Sequence, residues 1–178
     1  VLFNCAGILR MGFNETISIA DQHLVVDINI KGILNCIHYA LPILKATPGA
    51  HVINMASTSV VYGVPELAVY SATKHAICAL TEALDIEFEK YDITISDIIT
   101  PYVRTPMVTD APVKAFSIEK LGINVEPIQV AETVWKAAHG RKLHWKIQFL
   151  TFVLLFTFWL LPFAKRFITK ILTIPPGK

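Results

Sequence analysis

The feature that most restricts the fold of this chain is the alternation, through its first hundred residues, of short apolar runs with longer segments of helical period. Val1–Gly7 (VLFNCAG) is an apolar run closed by a glycine, and from about Ile19 to Leu44 the residues Leu24, Ile28, Ile33, Ile37 and Leu41 recur at helical spacings. His51–Ser57 (HVINMAS) is a second apolar run, set between Pro48-Gly49 and a Ser/Thr cluster. Tyr70–Lys90 then places Ile77, Leu80, Leu84 and Phe88 on one helical face, and the β-branched run Ile93–Thr100 ends at the turn-prone Pro101. The order β, α, β, α, β, with helices long enough to act as crossovers, predicts an α/β doubly wound parallel sheet covered on both faces. Beyond Thr105 a mixed, turn-rich stretch precedes a short helix over Gln129–Ala138 and a last strand within Lys142–Ile147. The chain thereby divides into an α/β domain, 1–147, and an apolar and basic tail, 148–178.

Ligands of such sheets sit beyond the carboxyl ends of the strands, which directs attention to Asn4–Gly7, to Ser57 onward and to Thr100 onward. Two residues near those exits carry recognisable chemistry. Tyr70 and Lys74 lie four apart on a helix and so share a face. A neighbouring cation stabilises a phenolate and draws the tyrosine pKa down from its usual value near 10, as general acid–base catalysis requires. Alone, a Y-x-x-x-K is weak, and an ordinary helix-surface pair explains it as well. Ser57, thirteen residues earlier at a strand exit, supplies a hydroxyl that can meet the phenol over one carbonyl oxygen.

Taken together, Asn4-Cys5-Ala6-Gly7, Asn29, Ser57, Tyr70-Ser71-Ala72-Thr73-Lys74 and Thr100-Pro101-Tyr102-Val103-Arg104-Thr105 resemble the short-chain dehydrogenase/reductase family. The resemblance covers roughly residues 1–140 in order and spacing. It implies a Rossmann-like fold and interconversion of a carbonyl and a secondary alcohol with NAD or NADP. In that scheme Tyr70 exchanges the proton with the substrate oxygen, Lys74 lowers its pKa and holds the nicotinamide ribose, and Ser57 polarises the substrate oxygen. Asn29 holds a water that links Lys74 to solvent. Asn4, Ala6 and Gly7 form the turn beside the cofactor, the asparagine tying neighbouring strands. Pro101, Val103 and Thr105 face the nicotinamide, the last two contacting its carboxamide.

Three departures accompany the resemblance. Cys5 replaces an asparagine, as a small residue expected to be buried. Thr100-Pro101 stands where the family has Pro-Gly. The glycine-rich phosphate loop is nowhere in the sequence, whose eight glycines are scattered singly. The chain therefore reads as the C-terminal half of the fold, opening inside a fourth strand, with the residues that select NAD or NADP outside it. As written, it is expected to bind the cofactor poorly and to be inactive by itself.

Charge separates the two segments. Residues 1–140 hold nine Lys/Arg and all fourteen Asp/Glu, whereas 141–178 hold seven Lys/Arg and no acid. Such a tail seeks an anionic surface, and its apolar content favours lipid over nucleic acid. Ile147–Ala164 is eighteen residues without a charge, just short of a spanning helix and interrupted by Pro162, with Lys146 before it and Lys165, Arg166 and Lys170 around or after its end. Basic groups beside aromatic bodies suit a helix lying in the headgroup region, and a helix that covers a core or a second copy is the alternative. A membrane-seated reductase would take lipophilic substrates, and Met107, Val108, Pro112, Val113, Phe116 and Leu121 offer an apolar lid. A homo-oligomer is the other expected partner.

Cys5, Cys36 and Cys78 fall in no metal or disulfide spacing and suit a reducing, cytoplasmic setting, as three small buried hydrophobes. No signal peptide is expected in this sequence, which shows no charged segment followed by a short apolar run at its start. The six histidines lack H-E-x-x-H spacing, so no metal is expected, and no G-x-S-x-G surrounds Ser57. The rival class is a membrane-associated scaffold that kept the fold and lost the cofactor loop.

Overall fold

A computed structural model describes residues 1–147 and 149–175. Four parallel strands lie in sequence order, β1 (Leu2–Asn4), β2 (Ala50–Met55), β3 (Ile93–Ile99) and β4 (His144–Lys146). Register is set by pairing Leu2 with Val52, Val52 with Ile95, and Asp97 with His144. Two helical segments flank β2 in sequence. The first is continuous from α1 (Ile19–Val26) through a π-helical turn at Asp27–Lys31 into α2 (Gly32–Lys45), and the second is α3 (Ala68–Phe88). Ser18 starts α1, its hydroxyl accepting from Asp21 N.

Successive strand residues point to opposite faces, and the core divides accordingly. Val52 and Ile95 pack with Ile33 and Ile37 of α2 and Ile77 and Phe88 of α3 on one face. Ile53 and Ile98 pack on the other face with Val125 and with Ala137 of α6 (Pro127–Ala138). The doubly covered parallel sheet is thus the architecture observed. Each fully buried isoleucine contributes roughly 1.5–3 kcal/mol through removal from water.

The long helix departs from its expected stripe. Leu24 is exposed, while Val25 and Asn29 face inward ahead of Ile33 and Ile37. The π turn inserts one extra residue into the helical repeat, so inward positions recur every fourth residue there and the apolar pattern shifts by one. The stretch after Thr105 forms two short helices, α4 (Pro106–Thr109) and α5 (Phe116–Leu121). The cysteines also correct their expectation: Cys78 is buried, but Cys5 and Cys36 are exposed.

Asp97 is wholly buried in β3. His144 Nδ1 of β4 lies 3.0 and 3.1 Å from its two carboxylate oxygens, which holds the edge strand in place and raises the imidazole pKa above its ordinary value. The tail forms α7 (Phe149–Leu160), a turn at Pro162–Ala164, and α8 (Lys165–Thr173). Pro162 breaks the apolar run as its missing N–H requires. Gln148 and Pro176–Lys178 lie outside the described residues, as do the side chains of Phe149 and Phe152.

Candidate active site

The carboxyl ends of β1, β2 and β3 open into a cavity of about 420 Å³ lined by Ser57, Tyr70, Lys74, Pro101, Val103 and Thr105, among others. Ser57 leaves β2 in extended conformation (φ −161°, ψ 159°) and accepts a hydrogen bond from Ser59 N, which fixes its hydroxyl at the rim. Thr58 N donates to Thr100 O at 3.0 Å, so the exits of β2 and β3 are tied together. Tyr70 and Lys74 come from the first turns of α3 and face the same space.

Lys74 is 5% exposed and its Nζ donates to Met55 O at 2.7 Å. Burial pushes its pKa down to about 8. The ammonium also lies 5.5 Å from the centroid of the Tyr70 ring. The expectation that this cation draws the phenol toward working pH is not met in this arrangement. Burial pushes Tyr70 up to about 12, and a hydrogen bond with Ser57 only partly opposes the rise. The physical reason is desolvation, which disfavours phenolate and ammonium alike. It leaves the tyrosine protonated.

Asn29 sits in the π turn, wholly buried, just behind the cavity. Its Oδ1 accepts from Ile8 N at 2.8 Å, and its Nδ2 donates to Ile8 O at 3.0 Å and to Thr73 Oγ1 at 3.2 Å. Thr73 donates in turn to Tyr70 O at 2.7 Å. One amide therefore joins the loop after β1 to helix α3. Gly7 lies against this clamp: a Cβ there would stand 3.3 Å from Asn29 Oδ1 and 3.9 Å from Lys74 Nζ. Asn4 Nδ2 donates to Asn54 Oδ1 at 2.8 Å, a buried bridge between β1 and β2. Asn4 and Ala6 do not line the cavity, whereas Cys5 and Gly7 do.

Val103 makes a parallel bridge with Val125, Arg104 N donates to Val125 O at 2.8 Å, and Thr105 N donates to Val103 O at 2.8 Å. This segment holds its shape through backbone bonds. Of the proposed lid residues, Met107, Val108 and Leu121 reach the cavity, while Pro112, Val113 and Phe116 do not.

The description "short chain dehydrogenase" fits residues 1–114. The chain belongs to that family of oxidoreductases. Its similarity extends to a cyclohexanol dehydrogenase of Acinetobacter sp. (strain SE19), 31% identical over 137 residues, which are 74% of this chain and 53% of that protein. It also extends to a 3-alpha-(or 20-beta)-hydroxysteroid dehydrogenase of Mycobacterium tuberculosis, 30% identical over 134 residues, 75% of this chain and 51% of that protein. The chain thus spans about half the length of these relatives. A short chain dehydrogenase of Burkholderia cenocepacia J2315, solved in complex with NADP, superimposes with a TM-score of 0.79 at 20% identity, over 98% of this chain and 68% of that one.

Several site residues in this family member escaped the sequence reading. Asn54 is fully buried, bonded to Asn4 and, through Nδ2, to Thr81 Oγ1 at 3.0 Å. Its signal was a polar residue inside an apolar strand, HVINM. Tyr102 and Ser117, whose hydroxyl oxygens are 2.7 Å apart, add a polar spot to the cavity from β3's exit and from α5. No local pattern announces that pairing. Thr169 and Thr173 of the tail also line the cavity.

Proposed function

We propose that the full-length protein is an NAD(P)-dependent oxidoreductase that interconverts an apolar carbonyl compound and its secondary alcohol. The observation that carries this reading is the meeting of the Ser57 hydroxyl, the Tyr70 phenol and the Lys74 ammonium in one cavity at the carboxyl edge of a parallel sheet. Ser57 would hold the substrate oxygen. Tyr70 would give that oxygen its proton as hydride reaches the carbon, and would take the proton back in the reverse direction. The protonated tyrosine favoured by burial is the form that reduction needs.

The residues present fit the nicotinamide end of such a cofactor. Gly7 keeps its backbone open beside Lys74, and the lysine, with three donors of which Met55 O takes one, has N–H groups to offer the ribose hydroxyls. When bound, NAD or NADP supplies or accepts the hydride. Pro101, Val103 and Thr105 would orient the ring through their backbone-held segment, and Asn4, through Asn54, would hold β1 against β2. Asn29 would keep the Gly7–Ile8 loop seated and the proton path from Lys74 in line.

An apolar substrate suits walls such as Leu9, Val61, Leu67 and Val108. It also suits a similarity to proteins named for cyclohexanol and hydroxysteroids. Tyr39 and Ile43, left exposed one turn apart along α2, offer a face for a second copy. Three free cysteines suit the reducing cytoplasm, and the basic, aromatic tail suits a membrane surface there.

The test is turnover of Tyr70→Phe in the full-length protein, followed by nicotinamide absorbance with a secondary alcohol. Loss of the acid–base group should lower kcat by about 10²–10⁴. Turnover equal to wild type would overturn the assignment.

A further inference from the structure

The tail has two faces with different chemistry. Facing inward, Phe158 of α7 is 3% exposed and Thr169 and Thr173 of α8 are 6% and 4% exposed, all three lining the cavity that holds Tyr70. Helix α8 packs on α5, whose Ser117 and Leu121 line the same cavity. The tail is therefore part of the wall of the site. Its placement is compatible with a complete fold, since the superposition on the NADP-bound dehydrogenase of B. cenocepacia spans 98% of the chain.

Facing outward, Trp159, Phe163 and Phe167 are 75%, 82% and 67% exposed, with Phe156, Leu160 and Ile171 exposed as well. So large an apolar surface rarely stays uncovered in water. Lys165, Arg166 and Lys170 stand among these residues, and no acid occurs from residue 141 onward. That charge decides between coverings. A second copy would bring the same cations to a self-complementary contact, where like charges repel, whereas an anionic lipid surface accepts both the rings and the cations. Length decides the manner. Helix α7 has 12 residues and so runs about 18 Å, too short for a hydrocarbon core of about 30 Å. Pro162 then turns the chain into α8.

We infer that α7 and α8 lie in the surface of an anionic lipid leaflet and form the wall through which an apolar substrate passes from that leaflet to Tyr70. The passage, though not the docking, rests on the oxidoreductase reading above. Trp159, Phe163 and Phe167 enter the leaflet, Lys165, Arg166 and Lys170 meet its phosphates, and Phe158, Thr169 and Thr173 bound the route on the protein side.

The experiment is flotation of the full-length protein with phosphatidylcholine vesicles with and without phosphatidylglycerol. It is paired with turnover of a long-chain secondary alcohol carried in the vesicles and of a short, water-soluble one. Wild type should float with the anionic vesicles, and added salt should release it. Lys165→Gln/Arg166→Gln should weaken binding about 25-fold, near fivefold for each charge, and Phe163→Ser/Phe167→Ser should abolish flotation. Both variants should lose turnover of the vesicle-borne alcohol while keeping that of the soluble one, which also shows that they are folded. If a variant does not fold, the lipid and salt dependence of wild type decides. Tyr70→Phe should float like wild type while turning over neither alcohol. Its failure to do the latter would sink the enzyme reading and leave docking standing. The inference is overturned if wild type ignores anionic vesicles, or if both variants float as wild type does. It is likewise overturned if Phe163→Ser/Phe167→Ser splits a dimer without changing flotation. Equal loss of both substrates in the folded variants would overturn the passage.

Discussion

Replacing Asn29 by alanine removes three hydrogen bonds from a position with no solvent exposure: one accepted from Ile8 N, one donated to Ile8 O and one donated to Thr73 Oγ1. A net contribution of about 0.5–1.5 kcal/mol for each bond sums to roughly 1.5–4.5 kcal/mol. Water entering the vacated space can recover part of this for the half-buried Ile8 groups, so about 2–3 kcal/mol is expected. That is a large share of a stability of about 5–15 kcal/mol. Urea unfolding of the full-length protein measures it, with Asn29→Asp as the control. A carboxylate keeps an acceptor for Ile8 N, but it sets an oxygen against Ile8 O and buries a charge, so the control should be no more stable than the alanine variant. The Gly7–Ile8 loop should also loosen beside Lys74, lowering kcat together with stability. An Asn29→Ala unfolding free energy within about 0.5 kcal/mol of wild type would refute the clamp. In that case any loss of kcat would have to come from the water relay alone.

Two further outcomes concern the β4 edge of the sheet. The pKa of His144 is raised in the folded state, chiefly by its hydrogen bonding to Asp97, so the stability it contributes is fully present below the ordinary histidine value near 6.5 and fades as pH rises through the folded value. Between about pH 6 and about pH 9, wild type should therefore lose more stability than His144→Gln. Parallel pH curves from thermal unfolding would contradict the pairing. At Gly140 an added Cβ would stand 2.6 Å from Trp145 Cζ2 and 3.1 Å from Lys136 O. Gly140→Ala should then cost about 1–3 kcal/mol by overpacking, and an unchanged urea midpoint would show that β4 yields without penalty.

Much of the architecture was legible because it is written in local periodicity. The three apolar runs became β1, β2 and β3, each strand ending before its run does, since Ser57, Thr100 and the glycine turn leave the sheet. The exception was the first half of the long helix. Leu24 and Ile28 satisfy a regular helical stripe, but a π turn is a departure from the very regularity by which a helix is recognised, and it placed Val25 and Asn29 inward instead. The tail was legible in composition and not in placement. Its aromatic and basic residues marked an outer face, yet nothing in the run of phenylalanines distinguishes Phe158, which is buried, from Phe156, which is exposed.

Tyr70 and Lys74 were bound to share a face, because four residues on a helix make about one turn, and the sequence alone determined that they stand together near a strand exit. Their protonation was a matter for tertiary structure. Burial raises the phenol to about 12 and lowers the lysine to about 8, because desolvation depends on everything packed around a group and not on its neighbours in the chain. The same holds for Asn29 and Ile8, for Tyr102 and Ser117, and for Asp97 and His144. Each pair is distant in sequence, and only the packing of helices on a twisted sheet brings its members within a hydrogen bond.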